Sequence, residues 1–111
     1  MRILVASDSF KDGCSSIEAC EAIARGIRSA NIEVEIDLCP ISDGGEGAVE
    51  ILQYHLGGEL IEVEVSNPLF KRIKAHYLLL GNSTAFIEMA QASGLELLTD
   101  VERNPMNTST F

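Results

Sequence analysis

Residues 3–28 read ILVASDSFKDGCSSIEACEAIARGIR, and the order of elements within them decides the fold. Ile3-Leu4-Val5-Ala6 is an unbroken apolar run near the start of the chain. Such a run predicts a strand covered on both faces, as in parallel sheets. Ser7 to Gly13 has turn chemistry and little apolar content. In Ser15-Ser16-Ile17-Glu18 a serine is followed three residues later by glutamate, the pattern of a capping box. Behind it Ile17, Cys20, Ile23, Ala24 and Ile27 recur at helical spacing, with Glu18, Glu21, Arg25 and Arg28 elsewhere on the wheel.

The neighbouring segments extend this opening. Val34, Ile36 and Leu38 alternate with Glu33, Glu35 and Asp37, which predicts a strand with one wet face, ended by Pro40. Ser42-Asp43-Gly44-Gly45-Glu46-Gly47 leads into a helix through Ala48, Ile51, Leu52 and Leu56, closed by Gly57-Gly58. The pattern then changes. Ile61, Val63 and Val65 alternate with Glu62 and Glu64, and Asn67-Pro68 is a turn. Ile73–Leu80 and Thr84–Met89 read as further strands with a turn at Gly81-Asn82, and such short links favour antiparallel pairing. Ala90 to Leu98 starts a helix interrupted at Gly94. Asn104-Pro105 is a break, and Thr108-Ser109-Thr110 looks like the entrance to a helix whose body does not follow, which suggests a truncated chain. The expected fold is therefore α/β: a β-α-β-α start of a parallel, Rossmann-like sheet, followed by a short antiparallel strand group.

Composition narrows the function. The 111 residues hold 17 acids against 8 bases, a net charge of -9, with 46% apolar residues. That apolar share suits a folded core rather than a disordered acidic tail. An acidic chain without a basic run repels a phosphate backbone and a negative membrane surface, so neither nucleic acid nor membrane is an expected partner. No apolar run approaches the roughly 18 residues of a spanning helix, and Ile3–Ala6 is too short for a signal-peptide core. These features lead us to expect a cytoplasmic protein. Cys14, Cys20 and Cys39 form no C-x-x-C pair, and His55 and His76 stand apart from them. Reduced structural thiols are expected, not a zinc site. His55 suits the end of its helix, and His76 alternates with Lys74 on a wet strand face.

Three places could carry chemistry. Asp8-Ser9-Phe10-Lys11 follows the first strand, where open α/β sheets bind ligands. Asp8 could hold Mg²⁺ or accept a hydroxyl proton, Ser9 could donate to an oxyanion, and Lys11 could neutralise one. The plainer reading is an Asx turn with a solvated lysine. Asp43-Gly44-Gly45-Glu46-Gly47 opens the second helix. Its glycines let a ligand approach the backbone, its free N–H groups attract anions, and its carboxylates could hold a metal. The plainer reading there is a capping box of Asp43 with Glu46, although a cap does not call for three glycines. It matches neither the Walker A pattern nor G-x-G-x-x-G. Glu88 interrupts the apolar run Phe86–Ala90, with Ser93, Gly94 and Arg103 beyond it, and reads equally as a surface or a site residue. Thr108 to Thr110 could offer hydroxyls to phosphate or cap a helix.

Taken together these segments resemble the bacterial type 1 glycerate kinases. The resemblance rests on Ile3–Lys11, Pro40 with Ser42–Gly47, Glu88-Met89-Ala90 with Ala92–Leu95, and Arg103-Asn104-Pro105 with Thr108–Thr110. It runs in order from Met1 to Phe111. Ser7, Asp12 and Cys14 depart from the family's usual residues without touching the site carboxylates or Lys11. The resemblance implies that residues 1–111 are the N-terminal portion of a longer two-domain α/β enzyme whose remainder is absent. It implies ATP and Mg²⁺ as cofactors and D-glycerate as substrate, phosphorylated to 2-phosphoglycerate, with 3-phosphoglycerate the second choice. Asp8, Lys11 and Asp43 would be catalytic, with Asp8 and Asp43 also the Mg²⁺ ligands. Ser9, Gly44, Gly45, Glu46, Gly47, Glu88, Ser93, Arg103 and Thr108 would bind substrate. The chain alone would show no useful turnover. The competing reading is a non-catalytic α/β binding or interaction module, presenting Glu33, Glu35 and Asp37 to a basic partner. A phosphoacceptor receiver fits less well, because only one acid follows the first strand.

Overall fold

The computed structural model of the chain describes residues 1–30, 33–81 and 83–110. They fall into two compact units, Met1–Gly47 and Ala48–Phe111.

The first unit is a β-α-β arrangement. Strand β1 (Arg2–Val5) and strand β2 (Glu35–Leu38) pair in parallel, with Arg2 opposite Glu35 and Val5 opposite Leu38. Helix α1 (Ser16–Ser29) links them in sequence and packs on both. The predicted capping box is present: the Glu18 N–H donates to Ser15 Oγ at 3.3 Å, and the Ser15 N–H donates to Glu18 Oε2 at 2.9 Å. The helix buries Ser16, Ala19, Cys20 and Ala24. This face lies to one side of the expected stripe, because small side chains let the helix approach the strands closely, and Ile23 is left exposed. Burial also differs from expectation in β1. Only one of its faces is covered, and Leu4 is 65% exposed on the other. On the rim of the pair Arg2 Nε meets Asp37 Oδ2 at 2.5 Å, an exposed contact of modest worth.

The second unit begins with helix α2 (Ala48–Leu56) and continues into an antiparallel sheet, β3 (Glu59–Ser66), β4 (Arg72–Leu80) and β5 (Thr84–Phe86), in the spatial order β3-β4-β5. The antiparallel pairing expected from the short links is present. Strand β5 stops at Phe86, short of the predicted Met89. The expected Gly81-Asn82 turn includes Asn82, which lies outside the described residues. Between β3 and β4, Asn67 organises the turn: its Oδ1 accepts the N–H groups of Leu69 and Lys71, both at 2.9 Å. That is the local chemistry by which Asn mimics a backbone turn. Helices α2 and α3 (Ala90–Ser93) both pack on β4. The interrupted helix expected over 90–98 is resolved into α3 and a 3-10 turn at Leu95–Leu97, parted at Gly94. The core comprises Ala48, Val49, Ile51, Ala75, Leu78 and Leu98, with Leu78 wholly buried. Leu56, expected on the apolar face of α2, is 61% exposed in the last turn. No helix among the described residues is long and apolar enough to cross a membrane.

Candidate active-site turns and the hydroxyl-lined cleft

The parallel ladder does not end with β1 and β2. The Cys39 N–H donates to the Val5 carbonyl at 2.8 Å, and beyond Pro40 the Ile41 N–H donates to the Ser7 carbonyl at 3.1 Å. Pro40 has no N–H to give, so the pairing steps over it. Asp8 follows Ser7 directly, and Asp43 lies two residues past Ile41. Both acid-bearing turns therefore leave the carboxyl end of one parallel pair, where α/β sheets place their ligands.

The first turn is closed by its own backbone. Phe10 and Cys14 bridge each other, and Asp12 takes the left-handed conformation at φ 58°. Asp8 Oδ1 accepts the Ser9 N–H at 2.7 Å, which turns one carboxylate oxygen inward. Lys11 sits exposed at the tip, and among the described residues it has no ion-pair partner. In the second turn Asp43 Oδ1 accepts the Gly45 N–H at 2.8 Å, and Ser42 Oγ accepts the Gly44 N–H at 3.1 Å. Gly44 has φ 95°, a conformation that L side chains rarely adopt, and this accounts for the glycine there. A Cβ on Gly45 would lie 3.1 Å from Asp43 Oδ1. The glycines thus shape the loop around the Asp43 carboxylate. Two N–H groups expected to be free for a ligand are satisfied by Ser42 and Asp43 instead. The Asp43–Glu46 capping box does not form, because α2 begins only at Ala48.

Within the second unit one N–H in the first turn of α2 also has an internal partner. The Val49 N–H donates to Glu88 Oε2 at 2.9 Å, and Glu88 is only 4% exposed. A carboxylate at a helix N-terminus meets unpaired N–H groups and the positive end of the dipole. Glu88, expected among the substrate contacts, is directed at this backbone. The interrupted apolar run was the sequence signal of a buried carboxylate, but nothing local named its partner. Ser93 and Thr108 do come together. With Pro68, Leu95, Leu98, Ser109 and Thr110 they line a cleft of about 380 Å³. Arg103 is not among the lining residues. Its Nε donates to the Leu95 carbonyl at 3.3 Å, and its Nη1 lies 3.0 Å from Asp100 Oδ1. Thr99 caps the turn before it: its N–H and hydroxyl both donate to Glu102 Oε2 at 2.9 Å and hold that carboxyl below its ordinary value. Pro68 was missed as a cleft residue. The sequence presents it as turn punctuation, yet its carbonyl accepts the Ser109 N–H at 3.0 Å.

Among the described residues no three His, Cys, Asp or Glu side chains cluster as a metal cage. Magnesium does not require one, since it is commonly held by one or two carboxylates together with phosphates and water. Asp8 and Asp43, each with one oxygen committed to a turn and hard oxygen donors to offer, fit that mode.

A β-α-β unit with acid-bearing turns at the carboxyl end of its strands places the chain in the α/β class. Sequence comparison narrows the class. The glycerate kinase family profile matches residues 3–111, and the chain belongs to that family. It is 43% identical to a glycerate kinase of Bacillus subtilis (strain 168) over 99% of this chain and 29% of that protein. To the glycerate 2-kinase of Escherichia coli (strain K12) it is 38% identical, again over 99% and 29%. A crystal structure of a putative glycerate kinase 2 from Salmonella typhimurium LT2 matches with a TM-score of 0.72 at 40% identity, over 99% of this chain and 30% of that one. The chain thus spans about three-tenths of the length of the relatives it matches.

Proposed function

We propose that this chain supplies the acid-bearing turns of a kinase that phosphorylates D-glycerate to 2-phosphoglycerate with ATP and Mg²⁺. The observation that carries the reading is the Ile41–Ser7 hydrogen bond, which sends the Asp8 and Asp43 turns from one end of one parallel pair. ATP supplies the phosphoryl group and Mg²⁺ offsets its charge when they are bound, with Asp8 or Asp43 as the carboxylate that would hold the metal.

Phosphoryl transfer depends mainly on positioning and on compensating negative charge. Lys11, exposed and unpaired among the described residues, offers a cation to a carboxylate or phosphate oxygen. Ser9 offers a hydroxyl beside it. Asp8 or Asp43, whichever does not hold metal, accepts the proton of the attacking hydroxyl. Gly44, Gly45 and Gly47 let substrate approach the Asp43 carboxylate without Cβ obstruction, and Glu46 stands among them as a further polar substrate contact. Ser93 and Thr108 contribute neutral hydroxyl donors in their own cleft, suited to a polyol or phosphate oxygen. Arg103 would exchange Asp100 for a substrate carboxylate. Glu88 enters the proposal as the carboxylate that holds the first turn of α2 while standing among the substrate-binding residues.

Residues 1–111 hold part of this machinery, as the N-terminal portion of a longer enzyme, and by themselves give no turnover. The three free cysteines suit a reducing compartment, so the proposal places the protein in the cytoplasm.

The test is Asp43→Asn in a glycerate-phosphorylating polypeptide that contains these residues. Asparagine Oδ1 can still accept the Gly45 N–H, so the turn persists while the charge is removed. Loss of proton acceptance should lower kcat by about 10²–10⁴. Unchanged turnover would remove Asp43 from the mechanism. Phosphorus NMR of the product distinguishes 2- from 3-phosphoglycerate.

A further inference from the structure

Two serines open α1, and the helix uses only one of them as a cap. Ser15 completes the capping box with Glu18. The Ser16 side chain is spare to the helix, yet Ser16 is 3% exposed. A hydroxyl buried this deeply requires a partner. Ser16 Oγ donates to the Ser7 carbonyl at 2.5 Å.

That carbonyl has two lone pairs and two strong donors. One is the Ser16 hydroxyl from α1, and the other is the Ile41 N–H beyond β2, at 3.1 Å. The Cys20 thiol adds a long contact at 3.9 Å. Donors from two separate elements fix the direction of the carbonyl. The carbonyl of Ser7 and the N–H of Asp8 belong to one planar peptide. Fixing the first therefore fixes where the chain launches Asp8. The Ser7 hydroxyl, donating to the Asp8 carbonyl at 3.0 Å, and the Ser9 N–H on Asp8 Oδ1 then carry that orientation to the carboxylate.

We propose that Ser16 is a positioning residue: its buried hydroxyl pins the Ser7 carbonyl, and the pin sets the Asp8 carboxylate against the turn that carries Asp43. The proposal rests on the kinase reading for its catalytic consequence, but not for the pin itself.

Ser16→Ala removes the donor and leaves the Ser7 carbonyl its Ile41 partner, so no acceptor is orphaned and the fold should survive. Ser16→Thr keeps the hydroxyl. Both variants are made in a polypeptide containing these residues and assayed for ATP-dependent phosphorylation of glycerate, with a urea midpoint recorded for each. In Ser16→Ala kcat should fall at least about tenfold, with KM for glycerate and ATP within about twofold, since small misplacements of reacting groups are costly. Ser16→Thr should restore most of the loss. In the 111-residue chain the amide NMR signals of Asp8 and Ile41 should shift in the alanine variant and return in the threonine variant. Turnover of Ser16→Ala within twofold of the parent overturns the proposal, as does a loss that threonine fails to restore. If the parent polypeptide does not phosphorylate glycerate, the kinase reading fails, and the Asp8 and Ile41 signals alone then decide for or against the pin.

Discussion

Replacing Glu88 tests how the first turn of α2 is held. Its carboxylate accepts the Val49 N–H at 2.9 Å, and Val49, like Glu88, is 4% exposed. Glu88→Met fills a similar volume without an acceptor, whereas Glu88→Gln keeps an oxygen in the same place without the charge. The methionine variant leaves a buried N–H unsatisfied, a loss of about 1–3 kcal/mol. It also forfeits the cap and the charge–dipole attraction, each worth about 1 kcal/mol. These contributions overlap, and burying a carboxylate carries a desolvation cost that either substitution relieves. The net expectation is about 2 kcal/mol for Glu88→Met, and for Glu88→Gln under about 1 kcal/mol, the size of the lost dipole attraction. Urea unfolding of the 111-residue chain, followed by far-UV circular dichroism, measures both. Hydrogen exchange at the Val49 amide locates the effect, and only the methionine variant should lose protection there. Equal losses in the two variants, or none in either, would refute the hydrogen-bond argument.

Two glycines should respond in opposite senses to alanine. Gly58 has φ 97°, and a Cβ there would lie 2.7 Å from the Leu79 carbonyl, so Gly58→Ala should destabilise by about 2 kcal/mol or more. Gly26 lies inside α1 with nothing within 4 Å of an added Cβ, so Gly26→Ala should stabilise by about 0.5–1 kcal/mol. Urea midpoints moving in the same direction would contradict the geometry. On the wet face of the antiparallel sheet, Glu62 meets Lys74 at 2.6 Å and His76 at 3.7 Å. The Lys74 hydrogen bond, foremost, holds the Glu62 carboxyl below its ordinary value. Its contribution is therefore complete above the ordinary glutamate value and is lost as pH falls through the depressed one. Carbon NMR titration should show the Glu62 midpoint rising in Lys74→Met, and an unmoved midpoint would dissolve the pair.

What sequence determined here was local. The Ser15–Glu18 cap, the Asn67 turn, the period-two strands and the break at Gly94 all arise between residues a few positions apart, where side-chain chemistry acts directly on the neighbouring backbone. The acid-bearing turns were legible for the same reason, as Asp and Gly clusters between apolar runs. Tertiary structure decided the partners. Glu88 stood out as a carboxylate in an apolar run, yet its acceptor role depends on a backbone group 39 residues away. The Ser16 hydroxyl, the Ser7 carbonyl and the Ile41 N–H meet only because two parallel strands and a helix pack together. Ser93 and Thr108 share a cleft with Pro68, which no local pattern indicated. Leu56 follows its helical periodicity and Leu4 belongs to an unbroken apolar run, yet both are exposed, because a sequence pattern sets which way a side chain points and not whether anything covers it. Burial and long-range hydrogen bonding sum many weak preferences over the whole chain, so they become fixed only when the elements are packed.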